Sequence, residues 1–254
     1  MHPGPRRTGV RYGVVMSTTA LGPLPPAFPA TRDALHRLAV YVVSPAQRLV
    51  NGEIVLRATT GGFETFEFDG HRISVRDDRL VVDGLAHPIT TLNAAAAAAG
   101  IEPDLAQEGQ FDVPPPGDLD TPLDVDPAAA HALGDWYELA TDLLEELREE
   151  AEPADDVTIV RLWPEHFDIA IDMGDAAAGR RATYGASPGD RHHDEPYLYV
   201  SPWAGRVHPF FGDPGFNGAA LRRSPLERER DPEAVALAFL REAREHVLAT
   251  PSSG

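Results

Sequence analysis

Hydrophobic and polar residues alternate strictly between residues 166 and 173, a period of two that predicts a half-buried β-strand. One predicted face carries Phe167, Ile169, Ile171 and Met173, and the other carries His166, Asp168, Ala170 and Asp172. Residues 181–185 and 196–200 predict two further strands, with turn-forming residues between them. We therefore predict a three-stranded antiparallel unit in which His166 and Asp168 share a polar face.

Two long helices are predicted on either side of this unit. Each begins with an Asp-Pro pair, Asp126-Pro127 or Asp231-Pro232, in which Asp caps the helix and Pro takes its first position. The first helix is predicted to run to about residue 149 and the second through residue 248. Both have apolar residues at helical spacing, so each is expected to bury one face.

The first half of the chain predicts an antiparallel β-meander. Apolar stretches at residues 54–59, 63–68, 71–76 and 79–82 are separated by turn residues, and Asp69-Gly70 is a hairpin signal. Helices are predicted from about residue 31 to 43 and over residues 94–99. The predicted fold class is α+β: a β-meander with flanking helices, then a three-stranded antiparallel unit between two long helices.

Changes in composition divide the chain into four parts. Residues 1–30 are rich in Pro and Gly and predict a disordered segment. Residues 31–109 predict an N-terminal α+β lobe, and residues 127–250 predict a C-terminal α+β lobe. Between them, residues 110–126 contain a run of prolines and several Asp, which predicts a linker. Two lobes packed on each other and two independent domains are both compatible with this pattern.

The composition excludes several classes of chemistry. The chain contains no Cys, so disulfides, thiolate zinc sites and cysteine catalysis are excluded. It has 22 basic residues, all Arg, so a Schiff-base lysine and a Walker-type lysine are excluded. The net charge of −18 predicts no nucleic-acid partner and no anionic membrane partner. No apolar run is long enough to span a membrane, and we expect a cytoplasmic protein of unknown oligomeric state.

The three-stranded unit predicts a cleft lined by polar and aromatic side chains. A hairpin would bring the start of one strand close to the end of its neighbour and to the loop that follows. Residues predicted to line this cleft are Trp163, Glu165, His166, Asp168, Tyr184, Ser187, Asp190, His193, Glu195, Tyr197, Tyr199 and Trp203. Aromatic residues with one polar tip suit either a ligand site or a packed core. An unidentified small molecule is the partner that such a cleft would take.

A divalent metal site is the alternative for the same residues. His166, Asp168 and His193, or the adjacent His192 in place of His193, are competent ligands for such an ion, although no tight ligand motif is present. A bound ion would make the protein a metal-dependent hydrolase, with Glu165 or Glu195 as the base that activates water. No other cofactor is evident from the sequence.

Residues 185–189 match the G-x-S-x-G pattern of serine hydrolases, but the chemistry argues against a nucleophile. The oxyanion hole of that motif needs the N–H of the residue after Ser, and Pro188 has none. The motif also requires a helix after Ser, whereas a strand is predicted here. Ser187 is therefore expected to lie in a turn.

Three segments carry a resemblance to other proteins: LWPEHFD at residues 162–168, GASPGD at 185–190 and PYLYV at 196–200. In these segments the chain resembles a family of uncharacterised actinobacterial proteins. It also resembles a broader domain of unknown function with a W-P-H-x-F-D segment before an S-P-G-D turn. Neither resemblance implies an activity, so the expected function is small-ligand binding or a structural role, with the metal-dependent hydrolase as the alternative.

Overall fold

Two antiparallel five-stranded sheets follow each other along the part of the chain that the computed structural model describes, residues 21–205 and 208–249. Helices pack against both sheets, so the α+β fold class predicted from the sequence is confirmed. No helix within these residues is long and apolar enough to cross a membrane.

The first sheet is a meander in which every strand pairs with its neighbour in sequence. Its strands β1 to β5 span Arg57–Thr59, Gly62–Glu64, Ile73–Arg76, Arg79–Val82 and Leu85–Pro88. The last of these strands was not predicted, because residues 85–88 are mostly exposed and lack a clear apolar face.

The second sheet is also a meander, with strand order β10-β9-β8-β7-β6. Strands β6 to β10 span Arg161–Trp163, Asp168–Met173, Ala182–Ser187, Tyr197–Pro202 and Ala219–Arg222. The predicted three-stranded unit corresponds to β7, β8 and β9. The edge strands β6 and β10 extend it to five.

Helices precede, separate and follow the two sheets. Helices α1 to α6 span Phe28–Leu38, Ser44–Asn51, Leu92–Ala98, Pro127–Glu149, Arg223–Leu226 and Pro232–Leu248. A π-helical turn, Ala39–Val43, joins α1 to α2 without a break. Both predicted Asp caps are present, since the Asp126 side chain accepts the N–H of Ala129 and the Asp231 side chain accepts that of Ala234.

Helix α4 lies between the sheets and packs on both of them. It contacts β1 and β2 of the first sheet, β7 and β8 of the second, and helices α1 and α6. Gly134 permits this approach, because a Cβ there would lie 2.6 Å from the carbonyl carbon of Gly61. Leu56 and Leu162 exchange two backbone hydrogen bonds of 2.8 Å and so join the edges of the two sheets. The buried side chains of both halves form one hydrophobic core.

The predicted disorder of residues 1–30 does not hold for the residues from 21 onward. Helix α1 begins at Phe28, whose side chain is buried, and Leu21 and Leu24 pack against the core. The carbonyl of Gly22 accepts a 2.6 Å hydrogen bond from Arg223. These apolar residues lie among prolines, so the Pro-rich composition of the segment did not indicate that they are buried. Residues 1–20 lie outside the described part of the chain.

The segment predicted as a linker, residues 110–126, packs against the body of the protein. Val113 and Leu123 are buried in the core. The Tyr41 hydroxyl donates to the carbonyl of Pro114 at 2.8 Å, and the N–H of Leu123 donates to the carbonyl of Thr90 at 2.7 Å. The segment that connects the two predicted lobes is therefore held against the body by buried side chains and hydrogen bonds.

Candidate functional site

A cavity of about 560 Å³ lies on the face of the second sheet that points away from α4. Most of the residues predicted for the cleft line it: Trp163, Glu165, His166, Asp168, Ser187, Asp190, Tyr197, Tyr199 and Trp203. Residues that were not predicted for the cleft also line it, among them Asp112, Thr183, Arg191 and Phe216. Asp172, predicted on the polar strand face, and His192, predicted as an alternative metal ligand, line it as well. The cavity therefore combines several carboxylates with aromatic side chains.

Alternation along three adjacent strands explains why these side chains converge. Asp168 and Asp172 of β7, Thr183 and Ser187 of β8, and Tyr197, Tyr199 and Ser201 of β9 all point to the cavity face. Residues between them, such as Ile169 and Leu198, are fully buried in the core. The alternation predicted over residues 166–173 therefore holds for residues 168–173, which form the strand.

Asp168 is buried at the floor of the cavity and is only half satisfied by hydrogen bonds. Its Oδ2 accepts a hydrogen bond from the Tyr199 hydroxyl, whereas its Oδ1 has no partner among the described residues. The residue is 7% exposed. Burial raises the pKa of Asp168 to about 6, although the Tyr199 hydrogen bond and the nearby His166 act in the opposite direction. The site therefore holds a carboxyl group that is ionised at neutral pH and has one oxygen free.

Gly185 permits the contact between Tyr199 and Asp168. In the register of the sheet, Gly185 on β8 lies between Ala170 on β7 and Tyr199 on β9. A Cβ at this glycine would lie 2.6 Å from ring atoms and from the hydroxyl oxygen of Tyr199. The tyrosine ring therefore crosses β8 above a position that has no side chain, and its hydroxyl reaches the carboxyl group on β7.

Asp190 and Tyr197 form a second carboxyl–phenol pair, which is fully satisfied. The Tyr197 hydroxyl donates to Asp190 Oδ2 at 2.6 Å, and the N–H groups of His192 and His193 donate to Oδ1 at 2.6 and 2.8 Å. Burial raises the pKa of Asp190, but these hydrogen bonds outweigh burial and leave that pKa below its usual value. Asp190 therefore stays ionised and orders its loop, in contrast to the half-satisfied Asp168.

His166 lines the cavity from a turn rather than from the predicted strand. Strand β7 begins only at Asp168, because Phe167 adopts a left-handed conformation with φ of 55° and breaks the alternation. His166 Nδ1 lies 3.8 Å from Asp112 Oδ2, and its ring meets that of Phe111 with centroids 4.8 Å apart. His166 and Asp168 thus line one cavity, as expected, but His166 lies in the turn before β7 rather than on the strand.

Two buried side chains from distant helices hold this turn in place. His36 Nε2 lies 2.8 Å from the carbonyl of Pro164, and burial lowers the pKa of His36 to about 3, so a neutral imidazole donates this hydrogen bond. The Tyr137 hydroxyl donates to the carbonyl of Phe167 at 2.6 Å. Sequence reasoning missed both residues, since their positions on helices fit an ordinary core.

The neighbouring residue of α4 holds the loop after β8. Trp136 Nε1 donates to the carbonyl of Ser187 at 2.9 Å. The hydroxyl oxygen of Ser187 accepts the N–H of Gly189 at 3.1 Å, which closes a tight turn. No helix follows Ser187 directly, so the nucleophile elbow of serine hydrolases is not formed here.

Three predicted cleft residues point elsewhere. Tyr184 faces the core, because its neighbours Thr183 and Gly185 take the cavity side of β8. The ring of His193 is buried behind Tyr197, with Nε2 3.2 Å from Asp213 Oδ2. Glu195 accepts hydrogen bonds from the N–H and hydroxyl of Ser224 at the start of α5. The loop reverses direction between Asp190 and Tyr197, so proximity in sequence did not determine which side chains face inward.

Of the predicted metal ligands, His166, Asp168 and the alternative His192 line the cavity, whereas His193 does not. Within residues 21–205 and 208–249, no group of three or more His, Asp and Glu side chains is arranged to hold a metal ion.

The rim of the cavity consists of polar contacts and one exposed tryptophan. Trp203 Nε1 donates to the hydroxyl oxygen of Thr183 at 3.0 Å, and that hydroxyl donates to Asp172 at 2.7 Å. The guanidinium of Arg181 lies over the Trp203 ring, 4.9 Å from its centroid. On another part of the rim, Arg191 Nε lies 3.2 Å from Asp112 Oδ1. Asp112 comes from the segment that was predicted to be a linker, and no sequence signal placed it near the cavity.

Comparisons with protein-family models, with curated proteins and with solved structures found no match to this chain. The resemblance to actinobacterial proteins therefore stays a prediction, and functional conclusions rest on the geometry of the cavity.

Proposed function

We propose that this chain is a cytoplasmic protein that binds a small organic molecule in the cavity above β7, β8 and β9. The observation that carries the proposal is the free oxygen of Asp168. Leaving a buried polar atom without a hydrogen bond costs about 1–3 kcal/mol. A ligand that donates to Asp168 Oδ1 would remove this cost, since no described residue does so.

The size and lining of the cavity support the same function. Its volume of about 560 Å³ falls in the range of about 300–1,000 Å³ that is typical of small-molecule sites. Two of its polar groups are fixed by hydrogen bonds: Tyr199 is oriented by Asp168, and Tyr197 by Asp190. Preformed walls lower the entropic cost of binding a ligand.

A thermal-shift screen of small organic molecules with different charges tests this proposal. Compounds that raise the melting temperature of the wild type are then measured by calorimetry against Asp168→Asn and the control Glu67→Gln, which alters an exposed carboxylate. We expect binding to the wild type and the control, and a loss of affinity of tenfold or more for Asp168→Asn. Equal affinity for all three proteins, or no binding at millimolar concentration, would contradict the proposal.

The metal-dependent hydrolase is a second candidate, favoured by the position of His166 and Asp168 on one cavity. It requires that Zn²⁺ or Mn²⁺ raise the melting temperature of the wild type but not that of a His166→Ala variant. A metal-induced shift that is the same in both proteins would exclude this site.

A further inference from the structure

The charges and rings of the cavity narrow the chemistry of its ligand. We infer that the ligand is an organic cation, with an ammonium N–H that donates to Asp168 Oδ1 and carbon atoms that pack against the rings of Tyr197, Tyr199 and Phe216. This inference deepens the proposed function and rests on it.

Negative charge in the cavity exceeds the positive charge available to balance it. The carboxylates that line the cavity belong to Asp112, Glu165, Asp168, Asp172 and Asp190, whereas Arg191 is the one guanidinium among its described lining residues. Arg191 is engaged with Asp112, 3.2 Å away, and His166 lies on the other oxygen of the same carboxylate at 3.8 Å. An anionic ligand would meet net repulsion, and a cationic one would be attracted.

Asp168 is a buried carboxylate without a positively charged partner in the described part of the chain. Burial makes such an unpaired charge unfavourable. Asp190 is satisfied by Tyr197 and two backbone N–H groups, and Asp172 accepts a hydrogen bond from Thr183. The side-chain donor to Asp168 is the neutral Tyr199 hydroxyl, and no Arg or His among residues 21–205 and 208–249 forms an ion pair with it. A neutral hydroxyl would satisfy its free oxygen, but a cation would also compensate its buried charge.

Three aromatic rings beside this carboxylate suit the carbon atoms of an organic cation. The rings of Tyr199 and Phe216 have centroids 6.0 Å apart, and Tyr197 lies 6.1 Å from Tyr199 and 6.4 Å from Phe216. All three line the cavity. Aromatic faces attract ammonium groups and the methylene groups attached to them. The two carboxyl–phenol hydrogen bonds fix both tyrosine rings, so the rings are in place before the ligand arrives.

Matched pairs of probes separate this inference from simple apolar binding. Each pair has nearly the same shape and differs in charge: phenethylamine and phenethyl alcohol, and cyclohexylamine and cyclohexanol. Binding to the full chain is measured by calorimetry at pH 7.5 and low salt. We expect at least one cation to bind tenfold or more tightly than its neutral partner. This comparison is made on the wild type, so it does not depend on the folding of a variant.

Two variants then test whether Asp168 causes the preference for cations over their neutral partners. We expect Asp168→Asn to reduce the ratio of affinities within a pair to nearly one, while the control Glu67→Gln leaves it unchanged. Two results would overturn the inference but leave the proposed function standing. One is equal binding of a cation and its alcohol by the wild type, and the other is tighter binding of a neutral sugar than of any amine. Failure of all probes and of the wider screen to bind would overturn both.

Discussion

The imidazole of His36 lies flat against the ring of Phe167, with centroids 4.8 Å apart and planes inclined by 6°. The same imidazole bonds to the carbonyl of Pro164, so one side chain contacts both ends of the turn that presents His166 to the cavity. Phe167 holds a positive φ in this turn, a conformation that a non-glycine residue adopts only where its surroundings impose it. Stacking and hydrogen bonding to His36 provide such surroundings.

His36 is predicted to make the stability of the folded protein sensitive to acid. The folded protein binds this proton with a pKa of about 3, against 6.5 for an unfolded histidine. Between these values the unfolded state binds more protons, so stability is full above pH 6.5 and falls as the pH drops. We expect a loss of about 3 kcal/mol between pH 7 and pH 4 that is absent in His36→Gln, measured by urea unfolding. Equal pH dependence in both proteins would contradict a neutral buried imidazole.

Asp168 is predicted to act with the opposite sign. The pKa of Asp168 is about 6 in the folded protein, above the 3.8 of an unfolded aspartate, so between these values the folded state binds more protons. Stability from this group is therefore full below pH 3.8 and is lost as the pH rises through 6. Relative to Asp168→Asn, the wild type should lose about 2 kcal/mol between pH 4 and pH 7. Unfolding curves of both proteins at several pH values give this difference, and a constant difference would refute the raised pKa.

Gly185→Ala is predicted to disrupt the contact between Tyr199 and Asp168. The new Cβ would lie 2.6 Å from the Tyr199 ring, so the ring must move. We expect a loss of about 1–3 kcal/mol in the free energy of unfolding, together with weaker binding of the cationic probes. Gly22→Ala is the matched control, since a Cβ there meets nothing within 4 Å. A variant as stable as the wild type would show that Tyr199 does not occupy this position.

Tyr137→Phe is predicted to loosen the turn that carries His166. The substitution leaves the buried carbonyl of Phe167 without its 2.6 Å hydrogen bond, which costs about 1–3 kcal/mol. Ser44→Ala removes a similar 2.6 Å hydrogen bond to the carbonyl of Ile54, away from the cavity, and serves as the control. Both variants should lose stability, but only Tyr137→Phe should also weaken binding of the probes. Equal effects of both variants on probe affinity would argue against a role of Tyr137 in positioning the turn.

Ser187 is predicted to be unreactive. Its hydroxyl oxygen accepts the Gly189 N–H, its side chain is buried, and the residue after it has no N–H for an oxyanion hole. A fluorophosphonate probe should leave Ser187 unlabelled under conditions that label a serine esterase completely. Stoichiometric labelling, located by mass spectrometry, would overturn this prediction.

The parts of the site that lie on regular strands could be predicted from the sequence. The alternation of β7 and β9 fixes the directions of Asp168, Tyr197 and Tyr199, because neighbouring side chains on a strand point to opposite faces. Turn residues gave the approximate ends of these strands. The fold class followed from the same periods together with the two Asp-Pro helix starts.

The remaining parts of the site depend on contacts that leave no local pattern. In the loop before β9, His193 and Glu195 turn away toward Asp213 and Ser224, whereas Asp190 turns inward. Asp112 reaches the rim because the proline-rich segment packs along the body, which its composition did not reveal. Such directions follow from tertiary packing, which has no period in the sequence.

The consecutive residues Trp136 and Tyr137 of α4 fasten two different loops of the cavity, one at Ser187 and one at Phe167. A movement of α4 would move both loops together, so the distance between the two loops would not change. The backbone beside Asp112 is held by the buried Val113 and by the hydrogen bond from Tyr41 to Pro114, but the Asp112 side chain itself contacts the exposed side chains of Arg191 and His166. Salt weakens contacts of this kind. Higher ionic strength should therefore loosen the Asp112 side chain at the rim and change the rates at which a ligand enters and leaves. The distance between the loops at Ser187 and Phe167 should stay the same.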